Sequence, residues 1–141
     1  MPDKTLTVLV VAAVAFSAAH DLDHLSRDDF SQPGAWAIVA AFLSVKYALT
    51  GAALYFYFRG KVGAAFWAAI GVLGAAALWF AHLSPAAEQR PPDIFAMYGS
   101  PIAGLIAAGL VYAMMLSLVA LALYGGWRAL WPAARLHRQS D

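Results

Sequence analysis

The sequence predicts an all-α fold, a four-transmembrane-helix antiparallel bundle. Three observations point to it. Of 141 residues, 62% are hydrophobic and 12% charged, with a mean hydropathy of +0.67. Soluble domains lie nearer about 45–50% apolar and about a quarter charged. The apolar residues fall into four runs of roughly 20 residues or more, the length that crosses about 30 Å of hydrocarbon. The turns between runs are short, so neighbouring helices run antiparallel. One integral membrane domain over residues 1–141 accounts for the whole length. A net charge of +1 and no basic run give no sign of a nucleic-acid partner. With no cysteine, disulfides, thiolate metal sites and cysteine nucleophiles are excluded.

The first span covers 5–24, with Lys4 anchoring its start. Ser17-Ala18-Ala19 resembles the small-residue cleavage site of a secretory leader, but the segment is read as a spanning helix. Ser31-Gln32-Pro33-Gly34 signals a turn. The second span, 35–58, is interrupted by Lys46. Arg59-Gly60-Lys61 forms a tight basic turn before the third span, 62–83. Ser84 to Asp93 contains Pro85, Pro91 and Pro92 and reads as a loop, and Ile94 to Tyr98 as a short apolar patch at the interface. Pro101 suits a first helical turn and opens the fourth span, 100–127. The tail, 128–141, sets apolar Leu130, Trp131 and Leu136 against Arg128, Arg135 and Arg138, a pattern suited to the membrane surface. Gly71/Ala75 and Gly104/Ala108 are small residues four apart, which permit close helix contact, although any alanine-rich helix contains such pairs.

Lysine and arginine set the orientation. Lys4, Arg59, Lys61, Arg128, Arg135 and Arg138 fall on one side, Arg27 and Arg90 on the other. Positive charge marks the cytoplasmic face, so both termini are expected in the cytoplasm. The outer side then carries Asp21, Asp23, Asp28, Asp29, Glu88 and Asp93, a field that concentrates cations.

The stretch from Ala19 to Asp29 holds two of the four histidines and four of the eight acids. His20 and His24 share a helix face, and polar positions 20, 21, 23, 24, 27 and 28 fit within roughly 160° of arc. Counting from Thr5 at 1.5 Å per residue, His20 stands about 22 Å and His24 about 29 Å up the first helix. From Val62, His82 stands about 30 Å up the third. His24 and His82 should therefore share a level, with His20 one turn deeper. Three imidazoles with an open fourth position match the donor set of a catalytic zinc site, with Asp21 and Asp23 as catalytic base or further ligand. The plainer reading is a polar helix end solvated at the interface. A haem held axially by His24 and His82 is the alternative cofactor.

Lys46 lies mid-span, where a charge costs several kcal/mol unless paired or hydrated. Counted from Phe58 it is about 18 Å up, close to the level of Asp21, its expected partner; snorkelling along the helix is the rival reading. Glu88, Asp93, Tyr98, Ser84 and Ser100 border the same face as supporting residues, and Tyr98 equally suits an interfacial aromatic. His137 reads as solvated, and Met114-Met115 as core filler rather than a copper site.

The boxes Ala19-His20-Asp21-Leu22-Asp23-His24-Leu25 and Ala81-His82-Leu83-Ser84-Pro85 resemble those of a functionally uncharacterised group of small four-helix bacterial membrane proteins. The resemblance covers these boxes and the hydropathy layout. It implies the fold, a polar outer face and a bacterial inner-membrane location, and it assigns no catalytic residue. Lys46 falls outside its pattern.

Three functions follow as expectations. One is a membrane metal protein with an outward His/Asp site, acting as a metal-dependent hydrolase on a lipid or lipid-linked substrate. Another is an accessory subunit docking on a membrane-protein partner or a second copy. The third is a haem b electron-transfer module. Transport by this chain alone fits less well, since no polar path continues past Lys46.

Overall fold

The computed structural model describes residues 3–27, 34–87 and 89–137, with side chains through Trp131. Asp28, Asp29, Glu88, the turn at 31–33 and the side chain of His137 lie outside the described residues. The elements are α1 (Lys4–Ser26), α2 (Ala35–Phe58), α3 (Ala64–Leu78) continued by a π-helical turn (Trp79–Leu83), α4 (Pro91–Met97) and α5 (Pro101–His137). Among the described residues there is no strand. Four of the helices are long and apolar enough to cross a membrane.

Asp3 caps α1, its carboxylate accepting from the Leu6 amide at 3.0 Å. It also accepts from the Tyr124 hydroxyl at 3.0 Å and pairs with Arg128 at 2.9 Å. The start of α1 is thereby tied to the far part of α5. The Leu6 amide above all, then the Tyr124 hydroxyl and Arg128, hold the Asp3 carboxyl below its ordinary range. At the opposite end Tyr98, just before α5, donates to Asp23 near the end of α1. The two helices are therefore antiparallel.

The core is the seam of α5 with α1 and α3. Leu6, Val10, Ala13 and His20 form the buried stripe of α1 at helical spacing, so His20 points inward with the packed residues. Ala107, Val111, Leu118 and Leu121 are the buried hydrophobic residues of α5, with Gly104, Ser117 and Gly125 buried beside them. A Cβ on Gly71 would meet Ala122 N at 2.6 Å and Leu118 O at 2.7 Å, so the α3 and α5 backbones touch there. Gly104 makes a similar approach, but to the Phe95 carbonyl of α4 rather than to another span.

Three features differ from the sequence expectation. The patch around Ile94 begins earlier, as a helix started by Pro91-Pro92, because proline suits a first helical turn. Ile94 is fully buried, and α4 packs on α5. The fourth span does not end near Trp127: α5 runs on to His137, with Gly125 and Gly126 inside the helix, where Gly125 lies against Ala64 and Ala68 of α3 rather than capping it. Finally, α2 stands apart. Only Tyr57 of its 24 residues is buried. It is tied to α1 by Lys46 and Tyr47 on Asp21, and near its end by the Tyr57 and Thr7 hydroxyls, 2.9 Å apart.

Candidate metal centre

His82 owes its position to the π-helical turn. The Ser84 amide donates to the Trp79 carbonyl at 2.7 Å, five residues back, and Pro85 follows. Such wide turns recur at functional sites because they re-aim a side chain without breaking the helix. Here the turn brings His82 against the last part of α1. His82 Nε2 lies 3.2 Å from His20 Nε2. The ring centres of His20 and His24 are 4.6 Å apart, those of His20 and His82 4.9 Å, and those of His24 and His82 5.6 Å. One nitrogen from each of the three falls within 4.8 Å of the others.

The three histidines singled out in the sequence come together in the structure. With α3 starting at Ala64 and α1 at Lys4, His82 climbs about 27 Å, between about 24 Å for His20 and about 30 Å for His24. The ring-centre distances place His82 slightly nearer His20 than His24.

The surrounding bonds fix the protons. His82 Nδ1 lies 2.8 Å from the Gln89 carbonyl, which can only accept, so Nδ1 carries the proton and Nε2 offers its lone pair to the centre. Such an outer acceptor is the usual companion of a metal-bound imidazole. The 3.2 Å between the two Nε2 atoms is a hydrogen bond that His20 donates to the His82 lone pair, and it is close to the roughly 3.3 Å separating two nitrogens about 2.05 Å from one tetrahedral ion, so an ion here would displace the His20 proton to Nδ1. His20 Nδ1 is buried with no hydrogen-bond partner. Arg27 Nη2 donates to His24 Nδ1 at 3.2 Å, which leaves the His24 proton on Nε2. Coordination through His24 Nε2 therefore requires that proton to move and Arg27 to let go.

The two acids expected as catalytic groups are fully engaged. Both oxygens of Asp21 accept from Lys46, at 2.8 and 2.6 Å, and one also from Tyr47 at 2.6 Å. The pair inferred from depth counting is thus formed. Asp23 accepts from Arg27 Nε at 3.1 Å on one oxygen and from Tyr98 on the other. Burial, then the bond to Asp23, push the Tyr98 phenol above its ordinary range, so it stays a donor. Asp93 accepts from the Arg90 backbone amide and side chain and caps α4, away from the three histidines. Ser84, though buried, donates to the Phe80 carbonyl at 3.2 Å. Ser100 is exposed, its carbonyl accepting from the Gly104 amide.

Sequence reasoning missed the roles of Tyr47, Arg27 and the Gln89 carbonyl. Arg27 could have been found: it is three residues past His24 and four past Asp23, on the polar stripe. It also reaches Gln89 Oε1 and Met97 Sδ. A backbone carbonyl in a loop leaves no signal in a sequence.

Comparison with protein-family models, curated proteins and solved structures found no match. The site therefore carries the functional argument by itself.

Proposed function

We propose that this chain is a membrane-embedded metal protein, in which His20, His24 and His82 hold one divalent ion, zinc by the all-imidazole donor set, and that it acts as a hydrolase on a lipid or lipid-linked substrate. The observation that carries the reading is the His20–His82 pair: two Nε2 atoms at ligand–ligand spacing, with His82 turned to ligation by the Gln89 carbonyl. His20, His24 and His82 would hold the ion, which would leave a position for water and could supply a hydroxide nucleophile near neutral pH. Water then adds across the cleaved bond, hydroxide to the electrophilic atom and a proton to the leaving group. In this reading Asp21 and Asp23 position the site, because every one of their oxygens already accepts a hydrogen bond. The charge pattern of the ends supports placing the site on the outer face of a bacterial inner membrane, with both termini cytoplasmic.

The haem alternative fits the geometry less well. The His20 ring, 4.6 Å from His24 and 4.9 Å from His82, crowds the gap that a porphyrin between those two axial ligands requires. The accessory-subunit reading draws on α2, whose exposed sides suit a partner helix as well as lipid.

Elemental analysis of the purified full chain tests the proposal. One zinc per chain is expected, with loss from His20→Ala and His82→Ala. Chelator should abolish hydrolysis of a fluorogenic lipid ester, and zinc should restore it. Full metal content in both variants, or no metal in the unaltered protein, overturns the reading.

A further inference from the structure

Between α2 and the body formed by α1, α3 and α5 runs a cleft of about 760 Å³. This is the volume range of small-molecule sites, about 300–1,000 Å³. Its walls are apolar apart from Ser17 and Thr50, and at one end His20, His82, Lys46 and Tyr47 gather. On α2 the lining forms one stripe below Lys46: Leu49, Thr50, Ala53 and Phe56. From Lys46 to Phe56 the helix rises about 15 Å, half of the roughly 30 Å hydrocarbon layer. The cleft persists because α2 is held by polar anchors at Asp21 and Thr7 and not by packing between them.

A second, independent observation points to an occupant. The two buried side-chain polar atoms without partners among the described residues are His20 Nδ1 and Trp67 Nε1. Both residues line this cleft. With an ion on Nε2, His20 Nδ1 would carry its proton and would need an acceptor, which the head group of a bound molecule would supply; a hydrocarbon chain offers none to the Trp67 indole N–H.

We propose that the cleft takes the hydrocarbon chain of a single-chain anionic lipid, with its head group at the three histidines. One row of lining residues on α2 and a depth of one leaflet suit one chain. The head is anionic because, among the described residues, Lys46 pairs with Asp21 and Arg27 with Asp23, so that neither cation is left to set its charge. A divalent ion held by the three imidazoles would then be the uncompensated charge. The inference deepens the hydrolase reading by naming the substrate class, and rests on it for the head-group end alone.

The test uses the full chain in detergent with Trp67 as the reporter, Trp36, Trp79, Trp127 and Trp131 being replaced by phenylalanine; all four are exposed. Dibrominated stearate is titrated against metal-free and zinc-loaded protein, and Trp67 emission is read. Saturable quenching is expected in both samples, with at least tenfold higher affinity in the zinc-loaded one. Ala77 and Ala81 are exposed residues of the cleft wall. The double variant Ala77→Phe/Ala81→Phe fills the cleft and should weaken quenching at least tenfold while leaving helical circular dichroism unchanged. Quenching that rises linearly with probe, or that survives the double variant in a folded sample, overturns the chain site. Saturable quenching with equal affinity in the two samples overturns the head-group assignment. Elemental analysis of the same samples reports separately whether the metal reading has failed.

Discussion

Lys46 Nζ lies 2.6 Å from Asp21 Oδ2 and ties a helix with little packing of its own to the helix that carries His20 and His24. The pair is partly shielded, with 25% and 13% of the two side chains exposed. Each partner makes the other tolerable in the membrane, so removing one strands a charge, whereas removing both strands none. Lys46→Leu and Asp21→Asn should each lower stability by roughly 1–3 kcal/mol, a range reduced from the fully buried case for partial exposure. The double variant should cost less than the sum of the two. Thermal unfolding of all four proteins in one detergent measures the coupling. Additive losses would mean that the two residues act independently.

In the proposed metal centre Arg27 would compete with the ion for His24. Its guanidinium donates to His24 Nδ1, whereas a metal-bound Nε2 needs the proton on Nδ1. Arg27→Gln should therefore tighten zinc binding roughly tenfold, within the range that outer-layer partners impose. It should also loosen Asp23, which keeps Tyr98 as its other partner. Competition with a chromogenic chelator reads the affinity. Weaker binding in the variant would show that Arg27 supports the centre rather than opposing it.

Gly71 is where the α3 and α5 backbones meet, and here the seam leaves no room for a methyl group. Both neighbours of its added Cβ, Ala122 N and Leu118 O, are backbone atoms that cannot rotate away. Gly71→Ala should destabilise by about 1–3 kcal/mol despite alanine's better helix propensity. Gly51 has open space around it, and Gly51→Ala should be neutral or stabilising. The two melting temperatures should thus move in opposite directions or differ by several degrees.

The spans were legible because hydropathy and length act residue by residue and need no partner. The Lys46–Asp21 pair was legible for a related reason: a lone charge in an apolar run has few acids at its level. The close approach of His82 to His20 was not. It depends on a helix that starts two residues late and widens into a π turn before Pro85, and both adjustments are tertiary. Ile94 shows the same limit. Pro91 to Asp93 read as the end of a loop and Ile94 onward as an apolar patch, until burial against α5 joins them into one helix. Asp21 and Asp23 were recognised as belonging to the site, but their engagement with Tyr47, Arg27 and Tyr98 depends on side-chain reach across helices, which spacing alone does not specify.

Orientation decides which compartment the three histidines face, and the bundle sorts the charges that govern it. Asp3, Arg59 and Arg128 border one cavity at the end opposite the histidines, with Lys4 and Lys61 adjacent in the chain. Arg27 and Arg90 stand at the histidine end, paired with Asp23 and Asp93 at 3.1 and 3.0 Å. Acidic neighbours do little to offset the retention of lysine and arginine in the cytoplasm, so the excess at the Asp3 end should hold that end inside. The chain contains no cysteine, so single cysteines report without background. Lys61→Cys and Ala86→Cys are exposed positions at the two ends. A membrane-impermeant maleimide should label Ala86→Cys in intact spheroplasts and Lys61→Cys only after lysis. The reverse pattern would turn the molecule over and give the metal centre a cytoplasmic substrate supply, while leaving its geometry unchanged.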